Sequence, residues 1–271
     1  MNEMELSEQR IAELAVGLEQ AERTRTPMRQ LSMQCPGMSI EQAYAVQLAW
    51  RDLKLAAGRT LTGRKIGLTS VSMQKAQEVD EPDRGIYFDD MMFTSGQSID
   101  FGRFIRPRVE MELAFELATP LRGPGVRLTD VLAAAAWVIP AVEIVDSRLQ
   151  MKDPENGQSR KIADAIGDNA ANAGMILGGT PVRPDEVDLR WVAGLLYLNG
   201  VIIDSGVSAS VMNHPAAGVA WLANALAVHG EHLEAGMPIL AGAFTRSNFV
   251  AQGDTMTADY GPLGVVTAHF V

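Results

Sequence analysis

The sequence predicts an α+β protein in which a mixed β-sheet domain, residues 61–271, follows an N-terminal helical arm, residues 1–60. Two observations carry this prediction. Apolar residues recur at helical spacing in the first part of the chain, and from about residue 60 short β-type runs alternate with Gly and Pro. A chain of 271 residues can bury a large core in one such domain.

Two helices account for the arm. The first carries apolar residues at helical spacing, with Glu and Gln between them: Ile11, Leu14, Ala15, Leu18 and Ala21. The second is expected to begin after Ser39, because Gln42 three residues later completes a capping-box pattern, and to end near Gly58. Neither helix could bury its apolar face alone, so we expect the arm to pack against the sheet domain.

Seven strands and two helices are expected in the sheet domain. The strands are predicted over residues 62–69, 107–118, 138–146, 173–177, 195–203, 238–243 and 265–271. The helices are predicted over residues 128–136 and 215–228. Pro215 suits the first turn of the later helix, where its missing N–H costs nothing.

Charge and composition argue against several functional classes. The net charge is −10 and no block of Lys or Arg occurs, whereas nucleic-acid binding depends on clustered cations. The longest uncharged apolar run, residues 131–142, contains Pro140 and is shorter than the roughly 20 residues of a membrane span. Cys35 is the only cysteine, and the acidic N-terminus does not resemble a signal peptide, so we expect a cytoplasmic protein.

A pair of carboxylates marks the strand predicted over residues 107–118. Alternation places Glu110 and Glu112 side by side on one face, with Val109, Met111 and Leu113 on the other. Two close carboxylates repel each other unless a cation lies between them. Spacing alone favours the alternative of a half-exposed strand with a solvated acidic face, because strands that mix apolar and polar residues are common.

A third carboxylate, Glu143, lies in a strand that is apolar on both faces. Burial of an unpaired carboxylate costs several kcal/mol, so Glu143 needs a partner. Three Glu side chains from two strands would make an all-oxygen site suited to a hard cation such as Mg²⁺, and less suited to Zn²⁺. The alternative is a structural salt bridge from Glu143 to Arg148 or Arg108.

Lys65 lies among small residues in the strand predicted over residues 62–69. Alternation places it on the same face as Gly63, Gly67 and Thr69, which leave room for a ligand. Partial desolvation there would lower the pKa of the lysine and suit it to proton transfer. The alternative is an ordinary solvated lysine.

Two loop segments carry further polar candidates. Residues 81–85 are typical of a turn that presents Asp83. Residues 168–174, which include Asn169, place short polar side chains just before a strand. Each pattern is equally typical of loop structure without a functional role.

These motifs, taken in order, resemble the hydratase/decarboxylase family of the fumarylacetoacetase-like superfamily. The segments that carry the resemblance are residues 65–70 (KIGLTS), 110–112 (EME), 142–148 (VEIVDSR), 168–172 (DNAAN) and 213–215 (NHP). The resemblance implies a mixed sheet rolled into a pseudo-barrel beneath the helical arm. It also implies Mg²⁺, with Mn²⁺ as the other candidate, at Glu110, Glu112 and Glu143, and catalytic roles for Lys65 and Asp83. Homo-oligomers built from dimers are usual in such families.

The activity that the resemblance implies is addition of water to a small 2-oxo-enoic diacid during aromatic catabolism. Thr69, Ser70 and Asn169 are the expected substrate contacts. The segment 151–161 is longer than in members of the family that act on monocarboxylic dienoates, and it carries Lys152, Arg160 and Lys161. We expect one of these basic residues, or a nearby arginine, to hold the distal carboxylate of a seven-carbon diacid. Three alternatives stay open: decarboxylation of a 2-oxo-3-enedioate, a non-catalytic partner subunit, and C–C bond hydrolysis. Hydrolysis would require a His–Glu pair to activate water, and no histidine lies near the three glutamates in the sequence.

Overall fold

A computed structural model describes residues 6–271, so the first five residues of the predicted arm lie outside the described residues. The helices are α1 (Glu8–Thr24), α2 (Leu31–Gln34), α3 (Ile40–Ala56), α4 (Val71–Ala76), α5 (Leu128–Ala134), α6 (Ile162–Gly167) and α7 (Pro215–Ala227). The strands are β1 (Leu61–Gly67), β2 (Asp83–Phe88), β3 (Met92–Thr94), β4 (Gln97–Ile99), β5 (Arg108–Leu117), β6 (Ala135–Val145), β7 (Asn172–Leu177), β8 (Ala193–Leu198), β9 (Val201–Val207), β10 (Pro238–Leu240), β11 (Asn248–Phe249), β12 (Thr255–Asp259) and β13 (Val265–Phe270). None of the described helices is long and apolar enough to cross a membrane.

The strands form two sheets. The larger runs in the order β2-β1-β10-β5-β6-β7-β3, with β11 paired to β5, and the smaller runs β4-β13-β12-β8-β9. Parallel pairs such as β1 with β10 occur beside antiparallel pairs such as β5 with β6. The predicted α+β class with a mixed sheet and N-terminal helices is therefore confirmed.

The larger sheet is curled, so strands that are distant in its order face one another. Lys65 Nζ on β1 lies 3.3 Å from Glu143 Oε1 on β6, although β10 and β5 stand between these strands in the sheet. The Tyr87 hydroxyl on β2 donates a 2.9 Å hydrogen bond to the same oxygen. The expected pseudo-barrel is thus present, with polar side chains inside it.

The alternation of β5 separates the core from the polar interior. Val109, Met111, Leu113 and Phe115 are buried in the larger hydrophobic core, which also contains residues of the smaller sheet and of α7. The intervening side chains, Glu110 and Glu112 among them, face the inside of the curl. Strand β5 therefore has one apolar face and one face that carries the carboxylates, as predicted.

The N-terminal helices pack, as expected, against the face of the larger sheet that is turned away from the larger hydrophobic core. Leu14 and Trp50 belong to a second core with Phe88 and Met175, and the rings of Trp50 and Phe88 meet edge to face at 5.7 Å. The capping box at the start of α3 is formed: Gln42 N–H donates to the Ser39 hydroxyl, and Ser39 N–H donates to the Gln42 side chain. A domain boundary at residue 60 stays a prediction.

One predicted strand was wrong. Residues 195–203 form a hairpin, β8 and β9, rather than one strand. Asn199 and Gly200 make the turn, both with positive φ (52° and 81°). Asn-Gly is a strong sequence signal for a two-residue hairpin turn, so the sequence contained the information that corrects the prediction.

A second correction concerns the segments on either side of α4. The strand predicted over 62–69 ends at Gly67, because Leu68 has the left-handed φ of 53°. The predicted turn at 81–85 instead contains the start of β2, whose Asp83 pairs with Gly67 across the antiparallel ladder. Helices α2, α4 and α6 were not predicted.

Candidate active site

Three carboxylates from β5 and β6 converge inside the curled sheet. Glu110 and Glu143 are direct partners across the antiparallel ladder, and Glu112 lies two residues further along the same face of β5. One oxygen of each carboxylate lies within 4.8 Å of the others. Glu112 and Glu143 are each only 1% exposed. The predicted clustering of these three residues is therefore present in the structure.

The electrostatics of this carboxylate cluster favour a bound cation. Burial, together with the charge of Glu143, raises the pKa of Glu110 to about 7 and raises that of Glu112 well above its ordinary value. A divalent ion among the three oxygens would offset this repulsion, and an all-oxygen donor set is the one that Mg²⁺ and Mn²⁺ prefer. The carboxylate cluster therefore fits a hard divalent ion.

Neighbouring groups hold two of these carboxylates in place. Gly242 N–H donates to Glu112 at 2.9 Å, and the Tyr87 hydroxyl donates to Glu143 at 2.9 Å. Tyr87 was not among the residues predicted from the sequence. Once Asp83 is known to begin a strand, however, alternation places Tyr87 on the same face four residues later.

Lys65 is buried beside the carboxylate cluster, as predicted, but its protonation differs from the prediction. Burial lowers the pKa of this lysine, yet the negative charges of Glu143, Asp83, Glu112 and Glu110 outweigh burial and raise the pKa above its ordinary value. The expected lowering was therefore wrong for the chain without metal, because the sequence did not reveal how many carboxylates surround Lys65. Lys65 is a cation that can donate a hydrogen bond or a proton.

Asp83 lies next to Lys65 in the same buried space. A Cβ atom added at Gly67 would meet Asp83 Oδ1 at 2.1 Å and Lys65 Nζ at 3.3 Å, so glycine is required at that position. Asp83 Oδ1 has no hydrogen-bond partner among the described residues. Burial raises the pKa of Asp83 above its ordinary value, with Lys65 lowering it and Glu143 raising it. A buried carboxyl with a free oxygen beside a lysine is suited to proton transfer.

The alternative, a structural salt bridge from Glu143 to Arg148 or Arg108, does not occur among the described residues. Arg148 is bonded instead to Asp168, and also to Glu22 at 3.3 Å. Glu143 forms its ion pair with Lys65 of β1, inside the curled sheet, and not with Arg148, which follows β6.

The predicted substrate contacts have structural partners of their own. Thr69 is buried against Gly242, where an added Cβ would lie 2.4 Å from the threonine hydroxyl. Ser70 caps α4 by accepting a hydrogen bond from Met73 N–H. Asn169 holds β2, since its side-chain amide bonds to both the N–H and the carbonyl of Ile86, each at 2.9 Å. Substrate contact by these residues stays a prediction.

Arg160 and Lys161 differ in their surroundings. Arg160 is largely buried and donates a 2.6 Å hydrogen bond from Nη1 to the Ser147 hydroxyl. Lys161 is exposed at the start of α6, where its backbone N–H bonds to Asp164. Of these two residues, therefore, Arg160 lies among buried polar groups and Lys161 does not.

Comparison with known proteins identifies the family. No family model matches the sequence. The chain is, however, 54% identical over 258 residues to 2-oxo-hept-4-ene-1,7-dioate hydratase of Escherichia coli, covering 95% of this chain and 97% of that protein. The chain belongs to the hydratase/decarboxylase family. It is also 36% identical to 4-oxalocrotonate decarboxylase of Pseudomonas putida, over 98% of both chains.

Solved structures agree with this membership. The 4-oxalocrotonate decarboxylase from Pseudomonas putida G7, complexed with magnesium and adipate, superposes with a TM-score of 0.93 at 36% identity, over 98% of this chain and 99% of that one. The fumarylpyruvate hydrolase from Pseudomonas aeruginosa, in complex with Mn²⁺ and pyruvate, has a TM-score of 0.57 at 14% identity, over 78% of this chain and 89% of that one. The second likeness shows that this family shares its fold with such hydrolases.

Proposed function

We propose that the protein is a divalent-metal-dependent hydratase that adds water to 2-oxohept-4-ene-1,7-dioate in aromatic catabolism. The starting form is 2-hydroxyhepta-2,4-dienedioate, and the product is 4-hydroxy-2-oxoheptanedioate. The observation that carries the proposal is a buried cluster of three carboxylates beside Lys65 and Asp83, in a chain 54% identical to a hydratase of that name.

Glu110, Glu112 and Glu143 would hold the ion. Mg²⁺ is the favoured ion, because a relative of known structure is complexed with magnesium, and Mn²⁺ fits the same oxygens. When bound, the ion supplies Lewis acidity toward the C1 carboxylate and the C2 oxygen of the substrate. Tyr87 and the Gly242 N–H would keep two of the carboxylates oriented, as groups around metal ligands commonly do.

The chain's own residues would move the protons. The dienol loses its C2 hydroxyl proton and gains a proton at C5, and the resulting 2-oxo-3-ene form has an electrophilic C4. Asp83 takes a proton from the water that attacks C4, and its free Oδ1 is the accepting atom. A proton is then added at C3, which balances the addition of water. Lys65, a cation in contact with Glu143, donates that proton or stabilises the charge that develops on the C2 oxygen.

Decarboxylation is the second candidate, because the chain is also 36% identical to 4-oxalocrotonate decarboxylase. Loss of CO₂ from a 2-oxo-3-enedioate would draw on the same carboxylates, Lys65 and Asp83. The residues of the site therefore do not distinguish the two reactions. Identification of the reaction product does.

One incubation distinguishes these functions. Protein stripped with EDTA and then supplied with Mg²⁺ should remove the ultraviolet absorbance of 2-hydroxyhepta-2,4-dienedioate and give a product heavier by one water, without CO₂. Release of CO₂, or turnover of 4-oxalocrotonate alone, would show a decarboxylase. Turnover of neither acid would favour a non-catalytic partner subunit.

We also infer a cytoplasmic homo-oligomer built from dimers. The single cysteine is consistent with a reducing compartment. Apolar side chains on β9, an edge strand of the smaller sheet, support self-association, since Val201 and Ile202 are 64% and 53% exposed. Light scattering on the purified protein would test this, and a mass equal to that of one chain would contradict it.

A further inference from the structure

Arg108 lies on the same face of β5 as two of the proposed metal ligands. It precedes Glu110 and Glu112 by two and four residues, and it pairs across the ladder with Val145. Its guanidinium lies 5.7 Å from the Phe249 ring. Among the described residues, none forms an ion pair or a hydrogen bond with this guanidinium. The strand therefore presents an unneutralised cation beside the carboxylate cluster.

Arg160 is a second cation that lacks a close carboxylate partner of its own. Its side chain is 14% exposed, and its buried Nε has no hydrogen-bond partner among the described residues. The nearest carboxylate oxygen, on Asp168, is 4.0 Å away, and Asp168 is already bonded to Arg148 and Ser147. An unpartnered buried donor on a cation indicates a missing anion or acceptor.

The two arginines lie at the same end of the sheet. Arg108 pairs with Val145, and Arg160 is bonded to Ser147, two residues further along the chain. Both side chains are therefore attached beside the C-terminal end of β6. Two like charges at partly buried positions are stabilised by an anion that binds both.

The helical arm fixes the loop that carries Arg160. Arg29, which lies between α1 and α2, pairs with Asp153 and Glu155 at 2.6 Å each. Gln30 donates to the Gln158 carbonyl at 3.2 Å. These contacts hold the loop against the arm, so Arg160 is presented by an ordered segment.

The spacing along β5 suits a seven-carbon diacid. Residues two apart on a strand are separated by about 7 Å, so Arg108 lies one such step beyond Glu110. An extended heptanedioate spans roughly 7–8 Å between its carboxyl carbons, from six C–C bonds of about 1.5 Å. A substrate anchored by its 2-oxo acid end at the carboxylate cluster would therefore bring its other carboxylate near the arginine pair.

We propose that Arg108 and Arg160 together bind the distal carboxylate of the substrate and set the preference for diacids over monoacids. The proposal deepens the proposed function and rests on it for the position of the C1 end. It also selects Arg160 among the basic residues expected from the sequence, because Lys152 and Lys161 are exposed.

The test compares two unreactive 2-oxo acids that differ only at the far end, 2-oxoheptanedioate and 2-oxoheptanoate. Their binding to the Mg²⁺-loaded protein would be measured by calorimetry. Arg108→Gln and Arg160→Gln should each weaken binding of the diacid about 10- to 100-fold while leaving the monoacid within about twofold. Arg183→Gln is the matched control, since Arg183 is an exposed arginine that follows Val182, the partner of Val138 near the opposite end of β6.

Several outcomes would overturn the proposal. An unchanged diacid-to-monoacid ratio in both variants would do so, as would loss of the preference in Lys161→Gln alone. If a glutamine variant does not fold, Arg108→Lys and Arg160→Lys replace it, with a reduced diacid preference still expected because lysine lacks the bidentate geometry. Failure of the proposed function has a different signature: the unmodified protein would not turn over the dienol, whatever its diacid-to-monoacid ratio.

Discussion

Glu110 and Glu143 lie directly opposite each other on β5 and β6, so two like charges occupy one cross-strand pair inside the protein. Such a pair destabilises a sheet unless something compensates it. Here Lys65 supplies one positive charge at 3.3 Å from Glu143, and Glu112 adds a third carboxylate. One lysine does not neutralise three carboxylates, which is the physical reason to expect a divalent ion.

The first prediction concerns pH and metal. Burial and Glu143 raise the pKa of Glu110 from its ordinary 4.5 to about 7 in the metal-free fold. The folded state then holds a proton that the unfolded chain has lost, so stability falls as pH rises from about 4.5 to 7. Metal-free protein should melt several degrees lower at pH 8 than at pH 5.5, since about 1 kcal/mol shifts the melting temperature of a domain of this size by roughly 2–4 °C.

Added Mg²⁺ should reverse that loss, because the ion binds the ionised carboxylates. Scanning calorimetry should show a larger Mg²⁺-dependent rise in melting temperature at pH 8 than at pH 5.5. Glu110→Gln should reduce the pH dependence of the metal-free protein. A melting temperature that rises with pH without metal would contradict the account.

The second prediction concerns Lys65. Lys65→Met should lower kcat by about 10²–10⁴, the usual contribution of a positioned acid or base. The metal-free variant should also be less stable, because Glu143 loses its only ion pair among the described residues. Stopped-flow absorbance on the dienol would measure the first effect. A variant with full kcat would remove Lys65 from the mechanism.

The third prediction concerns Tyr87. Tyr87→Phe removes the hydroxyl that donates to Glu143, and should weaken Mg²⁺ binding by about 10- to 100-fold, as loss of such supporting bonds commonly does. Calorimetric titration of Mg²⁺ would measure the change. Tyr197→Phe is the matched control, because Tyr197 is on β8 in the smaller sheet. Equal Mg²⁺ affinity in the two variants would contradict the assigned role.

The fourth prediction separates two roles for Asn169. Its amide bonds to both backbone groups of Ile86 and is fully buried, so Asn169→Ala should cost about 1–3 kcal/mol of stability. Thermal melting would show that loss. A role in substrate contact alone would instead raise KM and leave the melting temperature unchanged.

The sequence predicted most of the site because strand alternation is a strict rule. Glu110 and Glu112 on one face, and Glu143 in a buried strand, followed from that rule together with the cost of an unpaired buried charge. What alternation could not supply was the pairing between strands. The direct opposition of Glu110 and Glu143, and the four carboxylates around Lys65, depend on register and on the curl of the sheet.

The errors also have physical causes. The strand predicted over 62–69 stops early because Leu68 adopts a left-handed conformation, which side-chain type does not signal. Asp83 was expected in a turn because Pro82 precedes it, yet its pairing with Gly67 makes it the first residue of β2. The Asn199-Gly200 turn, by contrast, was a readable signal that was overlooked.

The most direct test of the central claim is a Mg²⁺ titration of dienol turnover in the unmodified protein and in Glu112→Gln, both stripped of metal beforehand. The account predicts no turnover without Mg²⁺, saturating turnover to the hydrated product in the unmodified protein, and a much higher Mg²⁺ requirement or no activity in the variant. Full activity of Glu112→Gln in limiting Mg²⁺, or of the stripped protein in EDTA, would contradict it.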